Sequence, residues 1–153
     1  MRSVYRVLAY VIAAMVVVQA AAIAFALFGL TKWIDEGGTL NKAAMESEDT
    51  TFTGVVGFMI HGMAGMMLIP LLALVFLIVA FFAKVPGGAK WAGFVVLAVV
   101  AQVLLGMFAH DAPALGILHG ANALVLFGLA VMAGKRVHPD VDAPDRVRDQ
   151  AVA

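Results

Sequence analysis

The chain of 153 residues contains no cysteine, which excludes disulfides, thiolate metal sites and thiol redox chemistry. Charge is scarce. Ten basic and ten acidic residues make up 13% of the chain and sum to zero, so there is no electrostatic basis for holding nucleic acid. Proline is scarce as well, and of the five present only Pro70 falls inside an apolar run. No carboxylate lies within any of these runs, so the acid–base pairs of hydrolytic chemistry are missing from them. The rest is largely hydrocarbon: 63% of the residues are hydrophobic and the mean hydropathy is +1.00. A soluble domain of this size cannot hide so much apolar surface, and the solvent for most of it must be lipid.

Four apolar runs stand out, at about 4–30, 53–83, 91–109 and 115–134, and each reaches or approaches the roughly 20 residues a helix needs to cross a bilayer. The expectation is an all-α integral membrane protein: a four-helix up-down-up-down bundle over 1–137, followed by a flexible cytosolic tail over 138–153 that mixes charge with two prolines. The first run imitates a signal peptide through Arg2, Arg6 and Ala20-Ala21-Ala22. It continues apolar through Phe28, however, and is expected to be a retained helix. Arg2, Arg6, Lys84, Lys90, Lys135, Arg136, Arg146 and Arg148 fall on one side of such a bundle, and only Lys32 and Lys42 on the other, which puts both termini in the cytoplasm. The acidic loop 31–51 and the turn His110-Asp111-Ala112-Pro113 then face outward. Pro86-Gly87-Gly88 marks a tight turn between the second and third runs.

The chain reads as one helical hairpin written twice. VVVQAAAIAF (16–25) is echoed by VVAQVLLGMF (99–108), each with a lone glutamine, Gln19 or Gln102, and IHGMAG (60–65) is echoed by LHGANA (118–123). Two such hairpins would be related by a pseudo-two-fold axis along the membrane normal.

Of the four histidines, His138 belongs to the tail and His110 to an outer turn beside Asp111. His61 and His119 lie inside apolar helices, where an ionisable side chain normally faces the bundle interior and has a partner. In sequential up-down order their two helices are diagonal, so the rings point at each other across the core. That suits a flat cofactor with a neutral imidazole on each side of its metal, as in bis-histidine haem ligation. Gly54, Gly57, Gly62, Gly65, Gly106, Gly116 and Gly120 offer low relief for a porphyrin edge, or equally for close helix packing. Asn122, Gln19 and Gln102 are candidate hydrogen-bonding partners of the ligands. Met59, Met63, Met66 and Met67 around His61 raise copper binding as a further alternative, against ordinary adaptable packing. Phe52, Phe58 and Phe108 are candidates for a haem edge, against lipid-facing or core roles. Measured from the flanking lysines Lys84 and Lys135, the two histidines differ in depth by about 10 Å at 1.5 Å per residue. Measured from the outer turns they agree within about one turn. A tilt, or a kink at Pro70, would reconcile the two counts.

AQVLLGMFAHDAPALGILHGANALVLFGLAVM (101–132) resembles the closing helix pair of the haem A synthase family: a Gln-x-x-Leu-Gly helix, a short turn with proline, then a helix with Leu-His-x-x-x-Ala. The resemblance is good over the third and fourth runs, fair over the second and faint over the first. That family consists of two four-helix bundles, each with a histidine pair on its second and fourth helices. This chain is similar to one such bundle, especially the C-terminal half that carries haem b. Where the family's substrate half has a glutamate one turn before the first histidine and an arginine after it, this sequence has Phe58 and Gly62. The resemblance thus implies haem binding rather than haem A synthesis. The chain also resembles small four-span membrane proteins of actinobacteria, a likeness that implies no activity.

These readings lead to a haem b-binding protein of a bacterial cytoplasmic (inner) membrane, with His61 and His119 as axial ligands near the outer face. It would serve electron transfer or haem handling, with respiratory-complex subunits or a quinone as partners and a homo-oligomer as one possible form. No catalytic residue is assigned; His110 and Asp111 are the acid–base candidates nearest the site. The alternative is a haem-free accessory subunit of a larger respiratory or transport complex, in which the histidines bridge helices by hydrogen bonds to Gln19, Gln102 or Asn122.

Overall fold

A computed structural model of the protein describes residues 1–47 and 49–137; the expected tail over 138–153, including His138, lies outside the described residues. The fold is all-helical, with no strand among the described residues. Its elements are α1 (Arg2–Asp35), α2 (Lys42–Glu46), α3 (Val56–Met63), a π-helical turn (Ala64–Leu68), α4 (Ile69–Phe82), α5 (Gly88–Phe108) and α6 (Leu115–Lys135). α3, the π turn and α4 form one continuous span, Val56–Phe82. With α1, α5 and α6 this makes four helices long and apolar enough to cross a membrane, as a multi-pass membrane protein requires.

Helix ends depart from the apolar runs because hydropathy marks where lipid ends and not where a helix must stop. α1 continues past Leu30 to Asp35: Thr31 Oγ1 donates to Phe28 O at 2.9 Å, and Lys32 pairs with Glu36 across the last turn. Within the outer loop Asn41 caps a short helix that hydropathy does not reveal, its side chain accepting from the Ala44 N–H at 2.8 Å.

The π turn precedes Pro70. Proline has no N–H, and its ring crowds the carbonyl four residues back, so the preceding turn widens and the Ile69 N–H bonds instead to Ala64 O. The irregularity expected at Pro70 therefore takes the form of an inserted wide turn.

The spans close a ring. α1 packs on the second span and on α6, and α5 packs on the second span and on α6, which leaves the second span and α6 facing one another across the interior. One half of the ring, next to the α4–α5 turn, is solidly filled. Tyr5, Ile12, Phe76, Val95 and Leu126 are fully buried there among Ala9, Ala73, Ala92, Ala130 and Ala133, whose small side chains let the helices close. The Tyr5 ring lies 4.6 Å from that of Phe76, and its hydroxyl donates to Gly88 O at 3.2 Å, tying α1 to the start of α5. Gly87, at φ +68°, makes the turn that places Gly88 there.

In the other half α1 and α3 touch backbone to backbone. A Cβ on Gly57 would stand 2.2 Å from Ala22 O, and one on Gly29 only 1.6 Å from Thr53 O. Gly54, at φ +96°, turns the chain into this contact. Gly54 and Gly57 thus serve helix packing and not relief for a porphyrin edge, because their open sides are already filled by α1. Beyond this contact, the interior of that half is hollow.

Since a backbone oxygen cannot yield as a side chain can, Gly57→Ala should destabilise the protein by about 1–3 kcal/mol. Thermal or SDS unfolding in detergent measures this, and an unchanged midpoint would show that α1 and α3 do not approach so closely.

Candidate functional site: a histidine pair in an apolar cavity

The hollow half holds an open-mouthed cavity of about 780 Å³ walled by all four spans and floored by Ile69, Val99 and Leu126. This lies within the roughly 300–1,000 Å³ of small-molecule and cofactor sites. The wall is aliphatic or glycine apart from Phe127, the thioethers of Met66 and Met107, and four polar side chains: Gln19 from α1, His61 from α3, Gln102 from α5 and His119 from α6.

The two imidazoles face each other from the diagonal spans, with ring centres 6.1 Å apart and planes inclined by 59°. They share a level, so the count from the outer turns is the right one. The second span carries its additional residues on the far side of His61, where the π turn takes up part of the excess.

Each ring is held in the same way. His61 Nδ1 lies 3.1 Å from the backbone oxygen of Gln19, and His119 Nδ1 lies 3.0 Å from that of Gln102. A carbonyl oxygen only accepts, so Nδ1 carries a proton in both rings, and Nε2 is the nitrogen not engaged by the carbonyl. The helical carbonyl can serve both its own helix and the imidazole because it has two lone pairs. The glutamine and histidine echoes in the sequence thus meet as one contact made twice.

The glutamine side chains differ. Asn122 does not line the cavity; its Nδ2 donates to Gln102 Oε1 at 2.7 Å and to Ala98 O at 2.9 Å, fixing Gln102 and joining α6 to α5. In the other half Gln19 Nε2 reaches Ile60 O at 3.4 Å, while Gln19 Oε1 is buried with no partner. The position three residues after His61, equivalent to Asn122 after His119, is Ala64, which has no donor side chain.

Gly62, Gly65, Gly106, Gly116 and Gly120 line the cavity. A Cβ on Gly106 would lie 3.0 Å from His119 Cε1, so the absent side chain makes room for the ring itself. Open space stands over Gly62, Gly116 and Gly120. Of the four methionines near His61 only Met66 lines the cavity; Met59, Met63 and Met67 are exposed on the outer surface of the span, as lipid-facing side chains are. Phe52, Phe58 and Phe108 do not line it either: Phe52 stacks on Trp33 at 5.9 Å and meets Phe58 edge-on, pinning the outer loop. His110 and Asp111 are exposed beyond the end of α5, outside the cavity wall. The aliphatic wall from Val16 to Ile23 and the ring of Phe127 gave no sequence signal, because nothing separates such residues from ordinary membrane-helix composition.

Among the described residues no group of three or more His, Asp or Glu side chains is placed to hold a metal, so the two histidines are the only such donors here. No family model, curated protein or solved structure matches the chain.

The two halves should respond differently to removal of their glutamine. Gln102→Leu strands part of a hydrogen-bonded network and should cost about 1–3 kcal/mol, whereas Gln19→Leu removes an unsatisfied acceptor and should be neutral or stabilising. Equal losses of unfolding midpoint in the two variants would contradict this asymmetry.

Proposed function

We propose that the protein binds one haem b between His61 and His119 and serves electron transfer or haem handling in the cytoplasmic membrane of a bacterium. The observation that carries this reading is the pair of imidazoles across one largely apolar cavity, each with its Nδ1 turned to a backbone carbonyl, so that Nε2 is the nitrogen left to bind a metal. A metal bonded to one nitrogen of each ring at about 2.0 Å holds ring centres roughly 6 Å apart, and they stand at 6.1 Å. A bare ion would find two nitrogens, the Met66 and Met107 thioethers and two amides in an otherwise apolar wall, with no carboxylate to balance its charge. A metalloporphyrin brings four donors of its own and an apolar body that matches that wall.

In this reading His61 and His119 would hold the haem iron, the Gln19 and Gln102 carbonyls would orient the two rings, and Gly62, Gly65, Gly106, Gly116 and Gly120 would leave room for the macrocycle. Haem bound there supplies a one-electron couple. The chain would contribute two imidazole ligands, a largely apolar wall, and no carboxylate or cation in the cavity lining to move a proton. The helices run up-down-up-down with both termini cytoplasmic, as the basic residues favour, so the histidines lie toward the outer face and electrons exchange with a partner there. Reporter fusions after Val137 should then show a cytoplasmic C-terminus; periplasmic activity would invert the orientation.

A second reading has its own support. Both imidazoles already have hydrogen-bond partners within the protein, as in a haem-free accessory subunit that uses histidine to join helices. A visible spectrum of the purified protein separates the two. The haem reading expects a Soret band with sharp α and β bands on reduction, and the sharp six-coordinate α and β bands should be lost in both His61→Ala and His119→Ala; a well-folded preparation that stays colourless when supplied with haem overturns it.

A further inference from the structure

The repeated contact is built to two different standards. On one side His119 donates to the Gln102 carbonyl, Gln102 Oε1 is held by Asn122, and Asn122 is anchored to Ala98 O, all on the unbroken helices α5 and α6. The ring also sits 3.0 Å from where a Cβ on Gly106 would be, seated against the α5 backbone.

On the other side His61 donates to the Gln19 carbonyl, but the Gln19 side chain makes a single long bond and leaves a buried oxygen unpartnered. Ala64 stands where a second asparagine would complete the network, and Ala64 is also the first residue of the π turn. A π turn holds one residue more than the α ladder requires. Moving that residue out of the turn rotates the helical turn before it, so the last turn of α3, which carries His61 beyond the Gly57 contact with α1, can swing its side chains relative to α4.

We propose that His61 is the displaceable member of the pair: the π turn is the hinge on which it withdraws, and the position it leaves is a binding site for a small neutral ligand such as a diatomic gas. His119 is the permanent ligand. The proposal rests on the haem reading, and it makes the site one that opens on the α3 side only. The ligand class follows from the surroundings, since beside His61 the cavity lining is aliphatic or glycine apart from the Gln19 amide and the Met66 thioether, and offers neither a cation to an anion nor a carboxylate to a cation.

The test uses the full chain reconstituted with haem b in detergent or vesicles, with carbon monoxide as the probe on the reduced protein. Wild type should bind carbon monoxide slowly, at a rate set by withdrawal of a histidine. His61→Ala should keep most of its haem and bind the probe about tenfold faster or more, while His119→Ala should lose haem affinity by about 10–100-fold. Equal haem loss in the two variants, or loss confined to His61→Ala, overturns the proposal. So does a six-coordinate wild type that never takes up carbon monoxide. Should both variants fold poorly, hydrogen exchange on the wild-type protein decides instead: the amides of α3 and the π turn should exchange well before those around His119, and equal protection would refute a hinge there. A protein that binds no haem removes the underlying reading and is told apart by the absence of any Soret band.

Discussion

A polar ring inside an apolar membrane helix must satisfy its N–H within the protein, since lipid offers no acceptor. His61 and His119 do so in the same way, each giving its Nδ1 proton to a backbone carbonyl of the span before it. Much else follows from that bond. It puts a proton on Nδ1, leaves each Nε2 as the nitrogen not engaged by the carbonyl, sets the ring orientation and draws α3 to α1 and α6 to α5 at one level. The glycines are placed in support: Gly57 and Gly29 let α1 and α3 approach closely enough for the His61 contact, and Gly106 clears the space that the His119 ring occupies.

Packing is divided along the bundle. Alanine, with a few large side chains such as Tyr5 and Phe76, fills one half completely, and the histidine half is left hollow. The filled half gives the spans a common base from which the walls of the hollow half rise. The many large apolar side chains on the outside need no partner beyond lipid, which removes the usual penalty for a small protein with a thin core.

The repeat is approximate where it matters most. Asn122 and Ala64 occupy equivalent places, and the difference of one amide decides whether the neighbouring glutamine is satisfied. Pro70 has no counterpart in α6, and the span that contains it is the one with a wide turn. The two histidine contacts are therefore alike in the imidazole–carbonyl bond and unlike in how fully the neighbouring glutamine is satisfied.

The four spans were legible in hydropathy, because burial in lipid requires apolar residues over a fixed length whatever the helices pack against. The histidine pair and its glutamine partners were legible too, because polar residues are costly in such helices and their recurrence at matching places is informative. The sequence did not settle which glycines serve helix contact and which serve the cavity. Gly54 and Gly62 look alike in a string, and only the approach of α1 separates them. Nor did it reveal that Asn122 acts through Gln102, or that Pro70 produces a π turn rather than a simple kink. By itself the sequence determined composition-driven properties: a membrane solvent, four helices and a short list of polar side chains within them. The tertiary structure alone decided which of those side chains meet, at what distance and with which nitrogen free, because these depend on helix rotation and spacing set by contacts between residues far apart in the chain.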